Sequence, residues 1–232
     1  MQILIISDFH NAVEKAKEIL YEKVDKKTVL FLSGGATPKS LYASLAKDGI
    51  IHPAAVGLVD ERYGKKFHEA SNERMIQDTN FLDFLDKKNI PFYPILQKNM
   101  SREKASEAYD KITRDLFFHF PKSIAVMGIG TDGHTASIIP NRKDFTDPLF
   151  AEGKNQLFVG DFNDTHSDYK ERIGMTFAGL ALIDFFIILA FGKEKKKALQ
   201  QMFVPGSLEE VPSRFFVQQA FKNSIILTDQ QV

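Results

Sequence analysis

A chain of 232 residues buries one substantial core, and with 44% apolar and 26% charged residues it has the composition of an ordinary folded protein. Its 30 Lys and Arg balance 30 Asp and Glu, so no global field steers it toward nucleic acid or anionic lipid, and any anion site must be local. The absence of cysteine removes disulfides, thiolate nucleophiles and cysteine-based zinc sites together.

The first predicted element is the apolar run QILIIS at 2–7. No basic segment precedes it and it is too short for a signal peptide or a membrane span, so a cytoplasmic location with no membrane partner is expected. Residues 12–24 follow with Val13, Ala16, Ile19, Leu20 and Val24 on one stripe, the pattern of a crossover helix. The second run, TVLFLSGG at 28–35, leads into LSGGATPKSLY, with a helix expected to begin near Pro38 and Thr37 as its N-cap. Paired glycines let the backbone approach an anion closely, and the N–H groups of a helix start point at it, so Gly34, Gly35 and Thr37 form a candidate phosphate cradle. The Walker A spacing is missing, and a strand-to-helix turn that merely needs glycine would look the same.

The third run, AVGLVDE at 55–61, ends in Asp60, Glu61 and Arg62, where open α/β sheets place their ligand crevice. Asp60 or Glu61 could orient or activate a group there and Arg62 could grip a carboxylate or phosphate; a solvated strand end with a local ion pair gives the same letters. From Ser101 to Phe120, Ala105, Tyr109, Ile112, Leu116 and Phe120 mark a packing helix without chemistry. The fourth run, IAVMGIG at 124–130, opens the stretch MGIGTDGHTASIIP, whose Gly128, Gly130 and Gly133 spell GxGxxG. A dinucleotide fingerprint also needs an acidic strand end about 20 residues on, and KDFTDPLF at 143–150 does not read as one. What remains is a glycine loop holding His134 beside Asp132, a geometry in which a carboxylate orients a general base, although a lone loop histidine is more often structural. No HxH or HExxH pattern occurs, His166 reads as a polar loop residue, and no catalytic metal is expected.

Segment 141–171 is the least regular part, read as a long loop with a short strand around Leu157–Val159, of the kind that is often functional or mobile. The last runs are FFIILAFG at 185–192 and SIILT at 224–228. Apolar on both faces and separated by helical segments, the runs imply a doubly wound α/β fold, a mostly parallel sheet with helices on both faces, as in a Rossmann-like three-layer sandwich. Without an internal repeat or linker, residues 1–232 are expected to form a single catalytic domain.

In order, SGGATP at 33–38, VDER at 59–62 and GIGTDGHTAS at 128–137 resemble the 6-phosphogluconolactonases, within the superfamily that also contains the glucosamine-6-phosphate deaminases. The usual SN after the DER loop is present as Ser71-Asn72. The resemblance assigns Arg172, in an Arg-x-x-x-Thr segment ending at Thr176, and Lys195, in a G-x-x-K pattern, to a sugar phosphate; Lys193 competes with Lys195 for that role. Deaminases continue with a GHIAFNEP-like segment whose glutamate serves ring opening, whereas this chain continues HTASIIP, with Ile139 where the lactonases usually have Phe.

The resemblance therefore implies hydrolysis of 6-phospho-D-glucono-1,5-lactone to 6-phospho-D-gluconate, a cofactor-free ester hydrolysis of the pentose phosphate pathway. The roles expected are His134 as base, Asp132 as its orienting carboxylate, and Arg62 or backbone N–H groups of the glycine loop at the oxyanion. Gly34, Gly35, Thr37, Asp60, Glu61, Gly130, Ser137, Arg172 and Lys195 are expected at the substrate and its phosphate. Three rivals remain: a glucosamine-6-phosphate deaminase, a sugar-phosphate sensor, and a serine esterase using Ser137, which lacks a G-x-S-x-G elbow. Oligomeric state is not legible.

Overall fold

β-Branched and aromatic residues at successive positions suit a pleated surface covered on both sides, and all six apolar runs form strands. In chain order the elements are β1 (Gln2–Ile5), α1 (Phe9–Lys23), β2 (Thr28–Leu32), α2 (Ala36–Asp48), β3 (Ala55–Leu58), β4 (Asp60–Arg62), α3 (Asn72–Gln77), α4 (Phe81–Lys87) and β5 (Phe92–Tyr93). They continue with α5 (Arg102–His119), β6 (Lys122–Gly128), β7 (Val159–Asn163), β8 (Glu171–Met175), α6 (Phe177–Leu180), β9 (Phe185–Ala190), α7 (Lys196–Phe203), α8 (Arg214–Gln218) and β10 (Ser224–Thr228). The computed structural model describes residues 1–142, 158–163, 169–220 and 223–232.

The main sheet has seven strands in the order β1-β10-β9-β6-β2-β3-β5, every pairing parallel. From β2 the chain winds outward through β3 to β5, and from β6 it winds the other way through β9 and β10. The order therefore reverses between β2 and β6, which opens a crevice beyond their C-terminal ends. β2, β3 and β10 are buried along their whole length, so both faces of the sheet are covered. β1 differs from the expectation: as the edge strand it leaves three of its four residues exposed.

A second sheet was not expected. AVGLVDE is not one strand, because the chain leaves the parallel sheet at Val59, whose N–H donates to Leu32 O while its carbonyl accepts from Met175 N–H. From there β4 pairs with β8 and β8 with β7, all antiparallel, standing a three-stranded sheet over the crevice.

Side-chain caps begin several helices: Asp8 accepts from Asn11 N–H, Ser71 from Arg74 N–H and Ser101 from Lys104 N–H. α2 has no such cap, and its start corrects the sequence reading. Gly35, at φ 117°, is the N-cap, so the helix begins two residues before Pro38 and Thr37 lies inside its first turn. α5 packs through the expected stripe, and its Tyr109 hydroxyl both donates to Leu58 O and accepts Leu58 N–H, satisfying the buried end of β3. Asp110 on the same face accepts from Phe158 and Val159 N–H, fixing the start of β7.

The strand expected around Leu157–Val159 begins at Val159 and runs to Asn163. Most of segment 141–171, with the stretch KDFTDPLF, Leu157 and His166, lies outside the described residues. Among the described residues no helix is long and apolar enough to cross a membrane, and no three His, Asp or Glu side chains gather as a metal set.

Candidate active site

A cleft of about 980 Å³ occupies the crevice beyond β2 and β6, within the size range of small-molecule sites. Its floor is the loop after β6. Gly130 N–H donates to His134 O, and Gly133 N–H to Gly130 O, closing the loop on itself. His134 Nδ1 lies 2.7 Å from Asp132 Oδ1, which also accepts His134 N–H at 3.0 Å. Burial pushes the Asp132 carboxyl up, but the hydrogen bonds and charge of His134 outweigh it and hold the pKa down to about 2. The carboxylate is thus ionised at neutral pH and fixes the imidazole, leaving Nε2 for proton transfer.

The glycines of this loop have separate reasons. A Cβ on Gly130 would run into His134 Nδ1, so the residue is glycine to let the imidazole lie against the backbone. Gly133 sits at φ 88°, where side chains are strained. No helix follows before residue 142, which removes the dinucleotide fingerprint by context. Instead Thr135 and Ile138 form an isolated bridge around Ala136 and Ser137, both left-handed at φ 51° and 66°. That turn delivers Ser137 Oγ to Asp60 Oδ2 at 2.6 Å and rests its Ala136 carbonyl where a Cβ on Gly174 would fall. Ser137 is therefore engaged with Asp60, and the serine-esterase arrangement is not formed.

One wall is the loop from β2 into α2. The N–H groups of a helix's first turn have no intrahelical acceptor, so Ala36 and Thr37 present theirs beside Gly34 and Gly35. Ser33 adds a buried hydroxyl with no partner, and all five residues line the cleft. Such a surface accepts an anion.

The opposite wall is the small sheet. Successive strand residues point to opposite sides, so Asp60 and Arg62 face the cleft while Glu61 turns away. This corrects the expectation for Glu61, which is 0% exposed and accepts from the N–H groups of Arg62, Asn72 and Glu73 and from Ser71 Oγ. Burial pushes its pKa up to about 7 against those donors. Glu61 is a structural clamp on the start of α3. Arg172 is the direct cross-strand partner of Arg62 and lines the same cleft.

Lys195 reaches the cleft from the loop after β9, whose Gly192 N–H is held by Asp229 Oδ1. Lys193 is exposed and not among the lining residues. The structure thus brings together Gly34, Gly35, Thr37, Asp60, Arg62, Gly130, Asp132, His134, Ser137, Arg172 and Lys195. Ser33, Asn72 and Glu194 also line it and were not assigned from sequence. The SN pair quoted above was the available signal for Asn72.

A family model described as glucosamine-6-phosphate isomerases/6-phosphogluconolactonase matches residues 6–226. Among similar curated proteins, a 6-phosphogluconolactonase of Synechocystis sp. is 32% identical over 213 residues, covering 86% of this chain and 81% of that relative. One from Rhizobium meliloti is 29% identical over 195 residues, covering 82% and 80%. In fold, the chain is similar to a 6-phosphogluconolactonase from Shewanella baltica, with a TM-score of 0.81 at 20% identity over 98% of this chain and 97% of that one. A second such structure, from Thermotoga maritima, gives 0.72 at 25% identity over 98% of each chain.

Proposed function

The chain belongs to the glucosamine-6-phosphate isomerase/6-phosphogluconolactonase family and hydrolyses 6-phosphogluconolactone; we propose that His134 is the general base of this reaction and Arg62 the group that holds its oxyanion. The observation that carries the reading is the His134–Asp132 pair on the floor of a cleft walled by cations and by an uncapped helix start.

A δ-lactone is an activated cyclic ester, so its opening needs a positioned water, a base and an oxyanion stabiliser, with no covalent nucleophile. With Nδ1–H directed at Asp132, His134 Nε2 takes a proton from water as the water oxygen bonds to the lactone carbonyl carbon. The carbonyl oxygen becomes an oxyanion. When it collapses, the bond from that carbon to the ring oxygen breaks, and the imidazolium returns its proton to the ring oxygen. The product is the open-chain acid, which ionises.

Sequence left Arg62 and the glycine-loop N–H groups as alternatives for the oxyanion. The N–H groups of Gly130, Gly133, His134 and Thr135 are committed inside the loop, and against the loop N–H groups that remain, Arg62 offers a full positive charge on the cleft wall, which favours it. The 6-phosphate then lies against the N–H groups after Gly34 and Gly35, with Ser33 Oγ, Arg172 and Lys195. Charge-assisted contacts of this kind contribute roughly 1.5–3 kcal/mol each.

Proton release on adding freshly generated 6-phosphogluconolactone, compared with unphosphorylated gluconolactone, tests the reading. Acceleration confined to the phosphorylated lactone is expected. Equal acceleration of both would remove the phosphate site from the proposal.

A further inference from the structure

We propose that Asn72 is a positioning residue for the hydrolysis, aiming Arg62 at the substrate while leaving its charge intact. The inference rests on the reading of Arg62 just given.

Asn72 is 1% exposed, at the first position of α3. Its side chain is used at both ends: Oδ1 accepts from Arg62 at 2.9 Å, and Nδ2 donates to Asp60 O at 2.8 Å. Its backbone N–H donates to Glu61 Oε1 at 2.7 Å. On its other side a Cβ on Gly34 would fall on Asn72 Oδ1, so the loop after β2 lies directly against the amide. One side chain thus touches the anion-facing loop and both cleft-facing residues of β4. Turning the amide over would set its NH₂ against the Arg62 donor and its oxygen against Asp60 O, so the orientation is fixed.

The choice of an amide has a chemical consequence. The terminal nitrogen of Arg62 that bonds Asn72 also donates to Ala70 O at 2.9 Å. Both acceptors are neutral and both use the same nitrogen, so neither cancels the charge of the guanidinium, and Arg62 lines the cleft. An aspartate in this place would bind the guanidinium more strongly, cancel the charge meant for the developing oxyanion, and press a second oxygen on Asp60 O.

A double-mutant cycle tests this, with kcat and KM measured on freshly generated 6-phosphogluconolactone for Asn72→Ala, Arg62→Ala and both together. Asn72→Ala is expected to lower kcat roughly 10- to 100-fold with KM nearly unchanged, as for a misplaced catalytic group. In the Arg62→Ala background the same change is expected to cost less than about 3-fold, since its target is gone. Asn72→Asp is expected to lower kcat at least as far as Asn72→Ala, and stands in for it should the alanine variant not fold. Equal losses in both backgrounds, or a wild-type kcat for Asn72→Asp, overturn the inference while the reading of Arg62 stands. An Arg62→Ala enzyme with unchanged kcat overturns both.

Discussion

Arg62 on β4 and Arg172 on β8 are direct cross-strand partners, two cations side by side on the wall of one cleft. Both side chains line the cleft, so an anion placed before them meets two positive charges on one wall. A phosphate remote from the carbonyl contributes binding that is nearly the same in ground and transition states. Arg172→Ala is therefore expected to raise KM roughly 10- to 100-fold with kcat little changed, measured by proton release. Inorganic phosphate is expected to raise the melting temperature of the wild type and to do so less for Arg172→Ala. A fall in kcat at constant KM would place Arg172 at the carbonyl instead.

His134 and Asp132 divide one task. Replacing His134 with Ala removes the proposed base and is expected to lower kcat by roughly 10²–10⁴-fold with KM nearly constant. Asp132→Asn keeps the shape and an acceptor oxygen but removes the negative charge that stabilises an imidazolium, so a loss in kcat is expected with the fold intact by circular dichroism. An unaltered kcat in His134→Ala would remove the residue from the mechanism.

Six of the seven strands of the parallel sheet were legible because short runs rich in Ile, Val, Leu and Phe between amphipathic helices leave few alternatives, whereas the two-residue β5 carries no such run. The small antiparallel sheet was not legible. Asp60–Arg62 is three charged residues in a row and Glu171–Met175 opens on two, and both are stabilised by tertiary pairing, so neither propensity nor periodicity marks them. Reading AVGLVDE as one strand also concealed the inward turn of Glu61, which the two-residue period of a strand beginning at Asp60 gives directly. Asn72 escaped because its partners, Gly34 in the loop after β2 and Asp60 and Arg62 on β4, are brought to it only by the fold. The pair Asp132 and His134 was legible because a two-residue spacing lets one loop make the contact alone.

The glycines of the GxGxxG stretch are expected to respond differently to the same substitution. A Cβ on Gly128 meets nothing within 4 Å, so Gly128→Ala should leave the melting temperature nearly unchanged. Gly130→Ala drives a methyl into His134 Nδ1 and should lower kcat about as far as loss of the proposed base, roughly 10²-fold or more. Melting curves and kcat for the two variants, measured side by side, check this. Near-wild-type turnover in Gly130→Ala would show that the imidazole works from another position.

Glu61 links the site to pH through stability. Burial raises its carboxyl to about 7 from an ordinary 4.5, so between these values the folded protein holds a proton that the unfolded chain has released. The stability this group contributes is fully present below pH 4.5, declines as pH rises and is lost above about 7. At ~1.4 kcal/mol per pKa unit the full span is about 3 kcal/mol. Glu73 moves in the same direction, raised by burial and opposed by Lys66. Asp132 moves oppositely, but its window lies between 3.8 and about 2, outside the neutral range. Denaturant midpoints are therefore expected to fall from about pH 5.5 to about 7.5, and Glu61→Gln, which has no proton to exchange there, should flatten most of that slope while lowering stability throughout. Since Glu61 binds the N–H groups of both Arg62 and Asn72, a slope that survives the substitution would place the linkage away from the wall that holds Arg62.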